Sequence, residues 1–223
     1  MSSRQRFRDR RDAGQQLGER LSHLRTEQPI VLGLARGGVP VAFEVARALA
    51  SPLDVLVVRK LGVPLHPELA FGAIGEENVR VLDVETIQRL GITREMVEAT
   101  VVRERIELTR RVARYRSNRT ALDLLGRTVI AVDDGLATGA TARVALEIAR
   151  TRGAKNVIVA IPVSPPETIG ALKRLAIEVI SLRVPSGFRA VGEWYDDFTQ
   201  TTDDEVTSLL RRSSLNPPGR DTD

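Results

Sequence analysis

Two adjacent carboxylates, Asp133 and Asp134, stand at the end of an apolar, strand-like run. The run, residues 128–132, is mostly β-branched, which is typical of a strand buried on both faces of a sheet. A loop rich in small residues follows the acids, and from Ala140 onward apolar residues recur at the spacing of a helix. The sequence therefore predicts a strand, an acidic loop and a helix in succession.

The junction between that loop and the helix suits a phosphate group. The first N–H groups of a helix have no intrahelical partner, and they lie at the positive end of the helix dipole. Glycine and alanine let a ligand approach the backbone closely, and threonine adds hydroxyl donors. The two acids would hold hydroxyl groups or a magnesium-bound group. The residues predicted to bind the phosphate are Gly135, Ala137, Thr138, Gly139, Ala140 and Thr141.

Residues 128–141 resemble the phosphoribosyl-diphosphate (PRPP) signature of type I phosphoribosyltransferases, which is an apolar strand, two acids and then Thr-Gly-x-Thr. The plainer alternative is a glycine turn that caps a helix, and two consecutive acids at the strand end disfavour it. A Walker-type P-loop is excluded because no lysine follows Gly139. The 5′-phosphate of PRPP would therefore occupy the predicted cradle.

The resemblance implies an enzyme that transfers the 5-phosphoribosyl group of PRPP to a nitrogenous base and releases pyrophosphate. It implies Mg²⁺ as cofactor, with Asp133 and Asp134 as the metal-binding and catalytic acids. The alternative function is a PRPP-sensing regulator with little or no transferase activity. Ala137 stands where oxopurine-using relatives usually carry an acid, so the loop looks more like that of adenine or orotate-type members.

A second strand–loop–helix unit precedes the first one in the chain. In the family, the loop after the first core strand binds pyrophosphate, and a basic pair at the end of the next strand is similar to one in adenine-type relatives. The alternatives are an ordinary glycine turn and a solvated strand end. The residues implied for pyrophosphate are Ala35, Arg36, Gly37, Gly38 and Arg59, with Lys60 as a further catalytic residue.

Buried strand-like runs alternate with helical patterns along the chain, which predicts a doubly wound α/β fold. We expect a mostly parallel, five-stranded sheet with helices on both faces, its strands at about 30–34, 54–58, 128–132, 157–161 and 178–182. A single domain is predicted over 1–212, with its core at about 13–61 and 126–183, a flap and long-helix insertion at 62–125, an aromatic segment at 184–212 and a disordered tail at 213–223.

Two segments outside the core have open roles. The flap carries His66, Glu68 and Glu76, which are either plain surface residues or groups that act when the flap closes. The long helix is either laid on the domain surface or serves as a hood or a dimer contact, so a homodimer is an expected assembly. The aromatic residues of the C-terminal segment either stack on an acceptor ring or fasten that segment to the core; they are Phe188, Trp194, Tyr195 and Phe198.

Composition narrows the class of protein. The chain has 223 residues and a formal charge of +4, and its arginines are interspersed with acids, so nucleic acid is not an expected partner. Aromatic residues make up 4%, too few for an evident base-stacking surface. No apolar run approaches the roughly 20 residues that span a bilayer, and there are no cysteines. We expect a cytoplasmic protein without membrane contact, whose first twelve residues are solvated or frayed and whose N-terminal arginines face water.

Overall fold

A computed structural model of the chain describes residues 6–63, 66–117, 119–175 and 178–215. Seven strands form one sheet in the order β4-β3-β2-β1-β5-β6-β7. The strands are β1 Ile30–Ala35, β2 Leu53–Val63, β3 His66–Gly75, β4 Arg80–Leu82, β5 Thr128–Val132, β6 Asn156–Val163 and β7 Glu178–Arg183. The helices are α1 Arg10–Arg20, α2 Gly38–Leu49, α3 Val84–Arg89, α4 Arg94–Arg116, α5 Ala140–Thr151, α6 Pro166–Lys173 and α7 Asp203–Leu215.

The five predicted strands form the parallel part of this sheet, β2-β1-β5-β6-β7. Their alternating side chains feed two apolar layers. Ile130 and Val132 pack with α1, α2, α4 and α7 on one face, while Ala131 packs against α5 on the other. Because both faces are covered, the strands read as continuous apolar runs. The doubly wound α/β architecture predicted from the sequence is confirmed.

The strand count differs from the prediction because the segment after β2 joins the sheet. β2 continues past the predicted end to Val63 and pairs antiparallel with β3, which pairs antiparallel with β4. Part of the predicted flap thus forms β3 and β4 at one end of the main sheet, with β4 as the edge strand. The side chains of His66 and Glu68 lie outside the described residues, and so does the predicted tail from residue 216 onward.

The long helix α4 lies on the sheet, as one of the two interpretations expected. The Thr93 hydroxyl caps it by accepting a hydrogen bond from the Met96 N–H at 3.3 Å. Its apolar stripe is buried at Val97, Val101, Leu108 and Tyr115. Among the described residues no helix is both long enough and apolar enough to cross a bilayer.

Two local predictions are wrong. Within residues 6–12 the start of the chain is not solvated or frayed as predicted, because Phe7 is fully buried and its N–H donates to the Trp194 carbonyl at 2.9 Å. The sequence Ser164-Pro-Pro-Glu167 matches a capping box and so predicts Ser164 as the cap of α6, but Pro165 holds that position. The Ser164 side chain therefore lies one residue too early to bond the first helical N–H groups. In addition, α7 continues to Leu215, so residues 213–215 of the predicted disordered tail are helical.

Glu76 joins four elements rather than facing a mobile flap. Its carboxylate is 2.5 Å from the Arg116 guanidinium of α4 and 3.1 Å from that of Arg152, which follows α5. It also accepts a hydrogen bond from the Val57 N–H in β2 at 3.1 Å. The Glu76 side chain is 6% exposed, and those of its arginine partners are 12% and 15% exposed. Such a nearly buried cluster tolerates the loss of one partner poorly, since the remaining charges stay desolvated.

Replacing Glu76 with alanine is therefore expected to lower the free energy of unfolding by about 3 kcal/mol. Glu77 is the matched control, because it binds the same Arg152 at 2.8 Å but its side chain is 44% exposed. Glu77→Ala should cost less than about 1 kcal/mol. Urea denaturation of the two variants beside the wild type measures both values. Equal losses would show that the Glu76 network does not hold the edge strands to the helices.

Candidate active site

Two loops meet at the carboxyl edge of the sheet because β1 and β5 are parallel neighbours, with Gly33 paired to Val132. They enclose a cleft of about 460 Å³. Ligands of open α/β sheets bind at such an edge. A second cleft, of about 560 Å³, lies between α2 and the end of α7 and contains none of the predicted site residues. The smaller cleft is lined by Arg10, Arg36, Gly37, Lys60, residues 133–141, Val191, Phe198, Gln200 and Thr201.

The close approach of the two loops depends on glycine at residues 37 and 38. A Cβ atom on Gly37 would overlap the Asp134 carboxylate. One on Gly38 would lie 2.5 Å from the Val132 carbonyl oxygen. A larger residue at position 38 would force the two backbones apart, whereas one at position 37 would displace the Asp134 carboxylate. The glycine pair that we associated with pyrophosphate thus also brings the backbone of its loop against the acidic pair.

Asp133 and Asp134 lie side by side at the base of the cleft. Asp133 accepts hydrogen bonds from the Asp134 N–H at 2.9 Å and from the Thr141 hydroxyl at 3.2 Å. Burial, and then the neighbouring Asp134 charge, raise the pKa of Asp133 well above its ordinary value, while Lys60 acts in the opposite direction. Burial likewise raises the pKa of Asp134, against the effect of Arg10. The positive charge of Lys60 and Arg10 therefore does not fully balance the negative charge of the two carboxylates.

The predicted phosphate cradle has the geometry of an anion site. Gly139 adopts a left-handed conformation, with φ of 76°, directly before α5, and no side chain caps that helix. Its first N–H groups are consequently directed at the cleft. Ala137 and Thr138 are exposed there. The Ala137 carbonyl accepts a hydrogen bond from the Thr168 hydroxyl, which anchors the loop from the side of α6.

The basic residues divide between the cleft and the surface of α4. Lys60 and Arg36 line the cleft. Arg59 is next to Lys60 on the strand and points the other way, as alternation along a strand requires. It forms hydrogen bonds of 2.6 and 3.0 Å with Glu104 of α4. Of the predicted pyrophosphate residues, Arg36 and Gly37 line the cleft, whereas Ala35, Gly38 and Arg59 do not, and Ala35 packs against the apolar core.

Sequence reasoning missed Arg10, which we had assigned to a water-facing surface. Its guanidinium Nε donates to the Asp134 carboxylate at 2.8 Å, and the two side chains are 11% and 14% exposed. It also donates to the Thr199 carbonyl at 2.7 Å and lies 4.0 Å from the centre of the Phe198 ring. No local signal distinguishes this arginine from its neighbours, because its partner is 124 residues away.

The C-terminal aromatic residues fasten their segment to the acidic loop. The Tyr195 hydroxyl donates to the Asp134 carbonyl at 2.6 Å. The Tyr195 ring packs between those of Phe7, at 5.4 Å, and Phe198, at 5.0 Å. Phe198 also lines the cleft, so this segment both packs on the core and forms one wall of the candidate site. The structure thus confirms that these residues fasten the segment to the core, and stacking on an acceptor ring stays a prediction.

The raised pKa of Asp133 has a consequence for stability. An acid whose pKa rises on folding binds its proton more tightly in the folded state, so its ionisation at higher pH destabilises that state. Asp133→Asn should therefore raise the free energy of unfolding at pH 8, by about 1 kcal/mol. The gain should shrink as the pH falls through the raised pKa and disappear near 3.8, the ordinary value. Urea titrations across this range measure it; a gain that is independent of pH would contradict the assignment.

A family model described as the phosphoribosyl transferase domain matches residues 10–196. Two Mycobacterium tuberculosis proteins, from strains CDC 1551 and H37Rv, bear provisional names as phosphoribosyl transferases and are 51% identical to the chain over 207 residues. That match covers 93% of the chain and 47% of each relative, so the chain spans about half the length of these curated relatives.

A crystal structure of the protein TT1426 from Thermus thermophilus has the same fold, with a TM-score of 0.77 and 45% sequence identity. The match covers 93% of the chain and 98% of that protein. The family model spans the acidic loop, the cradle, the glycine pair and the Arg10 contact. The chain therefore belongs to the phosphoribosyl transferase family.

Proposed function

We propose that this cleft binds PRPP with Mg²⁺ and transfers the phosphoribosyl group to a nitrogenous base, with release of pyrophosphate. Membership of the family supports the general class of reaction. The observation that carries the proposal is the position of Asp133 and Asp134. Asp133 accepts a hydrogen bond from Thr141 of the amide cradle. Asp134 packs against Gly37 of the loop that carries Arg36, and Lys60 of β2 lines the same cleft.

Each part of PRPP has a complementary group in the cleft. The 5′-phosphate lies against the amides of residues 137–141 and the Thr138 hydroxyl, because that end of α5 attracts anions. The ribose hydroxyls face the two acids, which accept hydrogen bonds from them. The pyrophosphate lies towards Arg36 and Lys60, whose charges balance its own.

The donor set also fits a magnesium ion. Mg²⁺ prefers oxygen ligands and usually keeps several waters, binding through one or two carboxylates together with substrate phosphates. Asp133 and Asp134 supply such carboxylates, and their raised pKa values indicate that the protein alone undercompensates their charge. When bound, the ion would offset the negative charge of the leaving pyrophosphate.

The chain itself contributes positioning and charge stabilisation. The acceptor nitrogen forms its bond to the anomeric carbon as the bond from that carbon to the pyrophosphate oxygen breaks. The electron pair of the broken bond leaves with the pyrophosphate, beside Arg36 and Lys60. A preorganised site of this kind lowers the barrier because its charges are in place before the reaction. The wall formed by Phe198 and Val191 helps to exclude water from the reacting centre.

The decisive experiment mixes the protein with PRPP, Mg²⁺ and a panel of bases and measures pyrophosphate release. We expect release that depends on one class of base, with adenine and orotate favoured over hypoxanthine and guanine because Ala137 is not acidic. PRPP binding without release for any base would instead favour the regulatory function. The absence of PRPP binding would contradict both.

Asp134→Asn should weaken PRPP binding in the presence of Mg²⁺ by more than about tenfold, since a charge-assisted contact is lost. The melting temperature should change little, because the variant loses the Arg10 ion pair but also the repulsion between the acids. Titration calorimetry and thermal melting measure the two effects. Asp196→Asn is the control, as Asp196 is exposed and does not line the cleft. Loss of folding in Asp134→Asn alone would indicate a structural carboxylate.

Thr138→Val tests the phosphate cradle separately. Removing the hydroxyl should reduce PRPP affinity by about tenfold or more, because a hydrogen bond to a charged group contributes about 1.5–3 kcal/mol. Thr120→Val is the matched control, because Thr120 is exposed and is not among the lining residues. Calorimetry with PRPP and with ribose 5-phosphate measures both variants. Unchanged affinity of Thr138→Val for both ligands would count against this position of the 5′-phosphate.

A further inference from the structure

Asp203, the first residue of α7, collects positive charge beside the candidate site. Its carboxylate lies 3.6 Å from the guanidinium of Arg36. It also lies 3.6 Å from that of Arg110 and 3.3 Å from that of Arg114, both on α4. Its side chain is 13% exposed, so water screens these contacts only in part. One acid is thus shared among three arginines, of which Arg36 alone lines the cleft.

Tyr115 fixes the orientation of that acid. Its side chain is buried in the core beneath α4, and its hydroxyl donates to Asp203 Oδ1 at 2.6 Å. Oδ1 is also the oxygen nearest to Arg36. The hydrogen bond from Tyr115, ahead of the charges of the arginines, lowers the pKa of Asp203. The carboxylate is therefore ionised at neutral pH and held by a side chain that cannot easily move.

A free arginine has much to lose on binding an anion. Ordering its side chain costs up to about 2 kcal/mol of rotamer entropy. An arginine that is already held in place loses less when the ligand arrives, so the ligand binds more tightly. The other charged groups around Asp203 are occupied with each other: Glu107 binds Arg110 and Arg111, both at 2.7 Å, and Asp204 binds Arg114 at 2.8 Å.

We propose that Asp203 is a positioning residue, which holds the Arg36 guanidinium at the pyrophosphate side of the cleft and is itself oriented by Tyr115. The inference rests on the proposed function, since it assigns Arg36 to pyrophosphate. It gives α7, which lies beyond the last strand of the sheet, a direct influence on ligand affinity. The contact through which it acts is the approach of Arg36 to Asp203 Oδ1.

The test compares Asp203→Asn with Asp204→Asn in the full chain. Asp204 is the matched control because it is the next residue, also binds Arg114, and has a side chain that is 92% exposed. The probes are inorganic pyrophosphate and ribose 5-phosphate, each with Mg²⁺. Asp203→Asn should weaken pyrophosphate binding about fivefold, the scale of a partly exposed ion pair. It should leave ribose 5-phosphate unaffected, and Asp203→Glu should restore part of the pyrophosphate affinity.

A double-mutant cycle with Arg36 isolates the contact. In an Arg36→Ala background, Asp203→Asn should have no further effect on pyrophosphate binding. Equal losses for pyrophosphate and ribose 5-phosphate would indicate a structural role and overturn the inference. Unchanged pyrophosphate affinity in Asp203→Asn would also overturn it, while leaving the proposed function intact. If the wild type bound neither pyrophosphate nor ribose 5-phosphate, the proposed function itself would be overturned, and with it this inference.

Discussion

The mutual repulsion of two buried acids is the constraint on which the cleft depends. The Asp134 charge raises the pKa of the neighbouring Asp133, and the ends of two parallel strands hold both carboxylates largely away from bulk water. The protein satisfies them incompletely, through Thr141, Arg10 and a backbone N–H. Burying two carboxylates that are incompletely paired lowers the free energy of unfolding. A metal ion can supply the positive charge that these carboxylates lack, and hydroxyl groups can donate hydrogen bonds to them.

The elements closest to those acids were the most predictable from the sequence. The strand, the loop and α5 obey local rules, because a buried run, consecutive acids and a helical apolar face each have a short-range signature. The glycine pair at residues 37–38 was also visible, although its tight packing on Asp134 was not. The parallel direction of the five core strands followed from the alternation of strands and helices, but their order in the sheet did not.

What escaped prediction depends on contacts that are remote in sequence. Arg10 looks like any solvated arginine until Asp134 is placed beside it. Arg59 and Lys60 look equivalent until strand alternation turns one towards Glu104 and the other into the cleft. The capping box at Ser164 followed a valid local rule, but the two prolines shifted the start of α6. Local chemistry indicated that a site exists, whereas only the folded chain shows which charges complete it.

A run of stacked side chains connects residues 7–10 near the N-terminus to the segment at residues 183–198. Arg183 lies 3.6 Å from the centre of the Phe7 ring, which packs on Tyr195, which packs on Phe198, and Arg10 covers the last ring. Contacts of this kind close very long loops, so they tend to form late in folding. During synthesis on the ribosome, the N-terminal residues must wait for the segment around Tyr195 to emerge. Until then the nascent domain has its acids but lacks one side of the compartment that encloses them.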